Sequence, residues 1–143
     1  MTMVTRRLKT ITLLSALAMI LHGVEEIYQH FYAHYTLFKT LSRLFASKEE
    51  ALFVAFQITL WAVLLLFFAL TLGERWRFRI LMLFGFILLY ENQHIFRAIV
   101  ERQYYPGLIT ALIILPLSLA FWWEIYLHYR KLRQGHPVDR RVT

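Results

Sequence analysis

The sequence contains no cysteine. Disulfides, thiolate metal sites and cysteine nucleophiles are thereby excluded, and any bound metal has to be held by nitrogen and oxygen ligands. No internal repeat and no low-complexity tract is present. Acidic residues are few, 9 against 16 Lys and Arg, for a net charge of +7. In a soluble protein that excess would raise nucleic-acid binding, but here it is not interleaved with aromatic residues on a surface suited to nucleic acid. It flanks apolar blocks, where it sets orientation and meets anionic head groups, so the expected partner is a lipid bilayer and not a nucleic acid. The start of the chain, with Arg6, Arg7 and Lys9 before an apolar run, imitates a signal peptide. No convincing small-x-small cleavage site follows, and the run carries His22, Glu25 and Glu26, so it reads as an uncleaved first span.

What the sequence has in excess is hydrophobicity, 59% of residues against the roughly 45–50% of soluble domains. The excess lies in four blocks, at about 8–28, 51–72, 78–99 and 107–127, each near the roughly 20 residues that cross a bilayer core. The expected fold is all-α: an integral membrane four-helix bundle forming one domain over residues 1–133, with a polar, disordered tail at 134–143. The link Gly73 to Arg77 predicts a tight hairpin between the second and third spans. Pro106 suits the first turn of the fourth span, and Pro116 predicts a kink within it. Between the first two spans, Leu37, Leu41, Leu44 and Phe45 recur at helical spacing, with Thr36, Lys39, Thr40 and Arg43 mostly opposite. This reads as an amphipathic helix on the outer interface, either a lid over the bundle or a plain connector. Eleven Lys and Arg fall with the termini and the middle link, and five fall on the other side. The richer side is expected to be cytoplasmic, which puts both termini of a cytoplasmic-membrane protein inside. Trp76, Trp122, Trp123, Tyr126 and Tyr129 fit an aromatic belt on that side.

Ionisable residues inside spans are costly and tend to mark function. At 1.5 Å per residue, His22 and Glu26 on the first span reach the same level as Glu91 and His94 on the third, in the outer third of the membrane. Their faces also agree. Ser15, Ala18, His22, Glu25, Glu26 and Gln29 share one stripe, and Phe84, Ile87, Glu91, His94 and Ala98 share another. Asn92 points away from His94. Gln57 and Thr110 lie at a similar depth as supporting polar groups, and Gly107, Thr110, Ala111, Ile114 and Ser118 give the fourth span a small-residue packing face. His22 and Glu26 are i, i+4 and Glu91 and His94 are i, i+3, spacings that converge on one point. Glu-x-x-His projecting inward is also a ligand pattern of dimetal helical bundles. The other two spans offer no further Glu, so a single divalent metal on His22, Glu26, Glu91 and His94 is easier to build, and the ligand set suits zinc or iron. Glu25 is then left as a general base. The plainer alternative is that these side chains pair with one another and with Gln57 and hold the bundle together. His30 and His34 continue the first span and either guard the site or sit in the interface. Arg97 and Glu101 are expected to form a rim ion pair, and Glu124 and His128 to be solvated end residues.

The run His22-Gly-Val-Glu25-Glu26 resembles the signature of the HXXEE-domain family of small polytopic membrane proteins. A second stretch, Asn92-Gln-His94, then Tyr104-Tyr-Pro-Gly107-Leu-Ile-Thr110-Ala, then Pro116, is similar to the family's later region in order and spacing. The resemblance implies a multi-helix membrane protein and marks His22, Glu25, Glu26 and His94 as functional positions. It implies no biochemical activity.

Two function classes follow. The first is a membrane-embedded metal-dependent enzyme acting on a lipid or other hydrophobic small molecule, with hydrolase, isomerase and oxidoreductase chemistry all open. A metal-free isomerase that moves protons through buried His and Glu is a variant of it. The second is a non-enzymatic accessory protein that binds or transports a small molecule or cation, with the His/Glu cluster as a proton or hydrogen-bond network. Four helices are few for a transporter and no repeat is present, so this role calls for a homo-oligomer or a larger partner.

Overall fold

The computed structural model describes residues 5–73 and 77–134, and the described residues are helical with no strand. The elements are α1 (Arg6–Tyr28), a 3-10 turn (Phe31–His34), α2 (Thr36–Leu44), α3 (Glu49–Leu72), α4 (Arg77–Glu91), α5 (Gln93–Glu101) and α6 (Leu108–Gln134). α1 packs on α3 and α6, and α4 packs on the same two helices, so the four surround a common core. That core holds Leu8, Met19, Leu64, Phe84, Leu88, Ile114 and Phe121.

α1, α3 and the Leu108–Arg130 stretch of α6 are long and apolar enough to cross a membrane. The third expected span is not one helix. It divides at Asn92 into α4 and α5, of 15 and 9 residues. The Asn92 side chain explains the break locally, because its Nδ2 donates to the Leu88 carbonyl at 2.9 Å and competes with the helix's own ladder. The Asn92 N–H turns to the Leu89 carbonyl at 3.2 Å, a tighter 3-10 bond.

The distribution of polarity is the reverse of a soluble domain. Large apolar residues such as Leu17, Leu21, Phe56, Leu66, Phe86 and Leu119 face outward, while His22, Glu26, Gln57, His94 and Glu124 are buried. Contiguous exposed apolar surface on every long helix requires an apolar surrounding.

At one end of the molecule, Thr5 caps α1 by accepting from the Leu8 N–H at 3.1 Å. There Glu124 is buried and pairs with Arg7 at 3.1 Å, which ties α6 to the start of α1. The expectation of a solvated Glu124 fails because Arg7 and Thr5 both fold over it. α3 ends at Leu72 and α4 starts at Arg77, whose Nε donates back to the Gly73 and Thr71 carbonyls at the end of α3. At the opposite end α2 lies against the start of α3, with Phe38 buried beside Phe53 and Phe31. Leu37, Leu44 and Phe45 stay exposed there, as do Lys39 and Arg43. Pro106 and Gly107 form a turn, and α6 starts only at Leu108, so Pro106 precedes the helix instead of opening it. Pro116 lies inside α6, and Gln134, assigned to the tail, is its last helical residue. The rest of the tail and Trp76 of the middle link lie outside the described residues.

Candidate functional site

His22 comes from α1 two turns before its end, where Gly23 lets α3 approach closely. A Cβ at Gly23 would lie 2.5 Å from the Gln57 Oε1. Glu26 follows one turn later on the same buried stripe, and Glu91 and His94 flank the break at Asn92. One ligand atom from each of His22, Glu26, Glu91 and His94 lies within 4.8 Å of the others. The His22 Nε2 stands 3.7 Å from the Glu26 Oε1 and 3.2 Å from the Glu91 Oε2. The His94 Nε2 stands 3.3 Å and 3.4 Å from the same two oxygens. All four residues are buried or nearly so.

Hydrogen bonds on the far sides of the rings fix the tautomers. The His94 Nδ1 is 2.6 Å from the Pro106 carbonyl. A carbonyl only accepts, so this nitrogen carries the proton. The His22 Nδ1 is 2.7 Å from the Thr110 Oγ1. Thr110 spends its own proton on the Glu25 Oε2 at 2.5 Å, so toward His22 it presents a lone pair and the His22 Nδ1 is the donor. In the neutral rings both Nε2 atoms therefore carry lone pairs aimed into the cluster. Both are buried, and neither makes a well-directed hydrogen bond despite the nearby carboxylates.

Glu25, expected to act as base, faces another way. It is half-buried beside the cluster and accepts from the Tyr104 hydroxyl at 2.6 Å, from the N–H groups of Ile109 and Thr110 at 3.1 and 2.8 Å, and from the Thr110 hydroxyl. These are the unsatisfied donors of the first turn of α6, where a carboxylate is most favoured. Partial burial and the adjoining carboxylate push the Tyr104 hydroxyl up to about 12, which keeps it a donor. The Gln57 Nε2 donates to the Glu26 Oε2, and the Glu26 Oε1 faces the cluster.

His30 is not part of the site. It takes a left-handed conformation at φ 56°, is exposed, and stacks on Tyr32. His34 is exposed as well, with its ring 6.1 Å from that of Tyr105. Arg97 does not close the expected rim pair with Glu101. It donates to the Tyr105 hydroxyl at 2.8 Å and lies over the rings of Tyr35 and Tyr105. The planar guanidinium finds a better surface there than a solvated carboxylate offers.

Three contributors were not assigned to the site from the sequence. Gly107 is in a left-handed conformation at φ +88°, and a Cβ there would lie 2.7 Å from the His22 Cε1 and 2.9 Å from the His94 Nδ1. Both imidazoles rest on this glycine. The Pro106 carbonyl is a backbone group and leaves no trace in residue type. Tyr104 stands in the second stretch on which the family resemblance rests, and only the fold turns its hydroxyl toward Glu25.

The sequence model described as "Protein of unknown function with HXXEE motif" matches residues 13–121. The chain belongs to this HXXEE family. The match takes in His22, Glu25, Glu26, Gln57, Glu91, His94 and Thr110. No curated protein and no solved structure matches the chain.

Proposed function

We propose that this HXXEE protein is a membrane-embedded metal-dependent enzyme acting on a hydrophobic small molecule, with His22, His94, Glu26 and Glu91 holding one zinc or iron ion. The observation that carries this reading is the pair of buried Nε2 atoms that make no well-directed hydrogen bond. They face two carboxylate oxygens at 3.2–3.7 Å without hydrogen-bonding them. Ligands bound at 2.0–2.1 Å to a tetrahedral ion stand about 3.3 Å apart, so the spacing suits a shared cation better than direct bonding. The support behind each ring, Pro106 for His94 and Thr110 with Glu25 for His22, is of the kind that orients metal-ligating histidines.

A bound ion would supply Lewis-acid activation of a water or a substrate oxygen. Glu25 is engaged by four donors, so we assign it the positioning of His22 through Thr110 and not the part of base. Glu26 would ligate through Oε1, which faces the cluster, while Gln57 holds Oε2. We place the site toward the outer leaflet of the cytoplasmic membrane, with both termini inside, on the Lys and Arg count.

One observation favours a second reading. The same His–Glu distances are those of ion pairs if the imidazoles are protonated, and the cluster would then be a charge network in a non-enzymatic binding protein. Elemental analysis of gently purified protein separates the two. The metal reading expects close to one zinc or iron per chain, lost in both His22→Ala and His94→Ala. Wild-type protein free of metal after several metal-supplemented preparations leaves the charge network standing.

A further inference from the structure

The cluster is open on one side. Its four side chains line a cavity of about 210 Å³ that also touches Met19, Leu60 and a file of phenylalanines. The rings are arranged in sequence away from the cluster. Phe31 lies against His94 at 5.2 Å, Phe53 against Phe31 at 5.8 Å, and Phe38 and Phe56 against Phe53 at 5.0 and 6.4 Å. Polar ligand atoms thus stand at one end and an apolar slot runs from them.

The far end of the slot reaches the side of the molecule. Leu37, Phe56 and Tyr90 line the cavity and are each at least half exposed. Phe56 lies seven residues into α3, which is about 10 Å along the helix from its α2 end. An opening at that depth on a spanning helix meets acyl chains and not water. The hydroxyls of Tyr35 and Tyr90, 3.2 Å apart, bridge one edge of this mouth.

We infer that the cavity takes a single-chain aliphatic amphiphile, of the fatty-acid or fatty-alcohol class, which enters sideways from the leaflet on the α2 side and brings its oxygen head group to the His/Glu cluster. This deepens the proposed function and rests on it for the head group only. The volume sets the class. It is below the roughly 300–1,000 Å³ of pockets that enclose a drug-sized ligand, so the slot holds a stretch of one slender chain and not two chains side by side. The chemistry of the walls agrees, since an apolar slot with polar groups at one end orients an amphiphile head first.

The test uses full-length protein in phosphatidylcholine nanodiscs and a fatty acid bearing a diazirine near its tail end. Photolabelled residues are mapped by mass spectrometry, and metal content is measured on the same samples. Labelling is expected at the phenylalanine file and Leu37. Leu60→Trp fills the slot, and the exposed Leu37→Trp narrows the mouth without entering the core. Excluding even two methylenes costs a ligand about tenfold in affinity, so labelling at sub-saturating probe should fall by about that factor in either variant while metal is retained. Undiminished labelling in both variants, or equal labelling of the same residues by a diazirine phosphatidylcholine, overturns the inference and leaves the metal reading intact. Wild-type protein that is labelled as expected but free of metal removes the metal reading and keeps the chain-binding slot.

Discussion

At the residue scale the site depends on what stands behind the ligands. Gly107 carries two demands at once, a left-handed backbone and room for both imidazoles. In Gly107→Ala the backbone strain alone costs about 1–3 kcal/mol, and the new methyl displaces His22 and His94. The expected outcome is loss of metal together with a lower Tm. Gly73→Ala is the control, because its Cβ would meet only the Leu70 carbonyl at 3.5 Å, and both properties should stay at wild-type values. Glu25→Gln separates a supporting group from a base. If Glu25 supports His22 through Thr110, the amide weakens metal affinity by about 10–100-fold, and Thr110→Val does the same. Competition against a chelator measures both. Full metal affinity in Glu25→Gln with activity abolished would return the part of base to Glu25.

At the element scale, the sequence showed most of what periodicity can encode. Of the stripe Ser15, Ala18, His22, Glu25, Glu26 and Gln29, Glu25 is half-buried, Gln29 is exposed and the rest are buried; of the small-residue face, Thr110 is half-buried, and Gly107, just before α6, is buried with Ala111, Ile114 and Ser118. Both the depth and the facing of His22, Glu26, Glu91 and His94 were therefore legible. The break at Asn92 was not, because hydropathy runs through it and only a side-chain bond to the Leu88 carbonyl ends the helix there. Nor was the role of Glu25 legible, since capping α6 is a contact across 85 residues of chain. The helix expected over the interface exists as α2, and it is held to the bundle chiefly through Phe38. Truncating a buried Phe costs about 3–5 kcal/mol, which for so short a helix exceeds what local structure can hold. Phe38→Ala should therefore raise amide hydrogen exchange across residues 36–44 while α1, α3 and α6 keep their protection and the metal stays bound. Concerted loss of protection throughout the chain would mean that α2 is part of the core fold and not a cover over it.

At the scale of the whole molecule, the placement of charge determines how the chain sits in a bilayer. The outward surface is apolar on every long helix, and the His/Glu cluster lies toward the α2 end, while Glu124 is buried at the other. The α2 end holds Lys39, Arg43, Lys48, Arg97 and Arg102, and the remaining eleven Lys and Arg belong to the termini and the middle link. An imbalance of that size favours the richer side in the cytoplasm, because loops rich in Lys and Arg resist translocation. The absence of cysteine makes the orientation directly measurable, since any single introduced thiol is the only one in the chain. Lys9, Arg43 and Arg102 are all exposed, at opposite ends of the molecule. In intact cells a membrane-impermeant maleimide should label Arg43→Cys and Arg102→Cys, and should reach Lys9→Cys only after permeabilisation. Labelling of Lys9→Cys alone in intact cells would invert the molecule. The His/Glu site would then lie in the cytoplasmic leaflet, and its substrate would have to come from inside the cell.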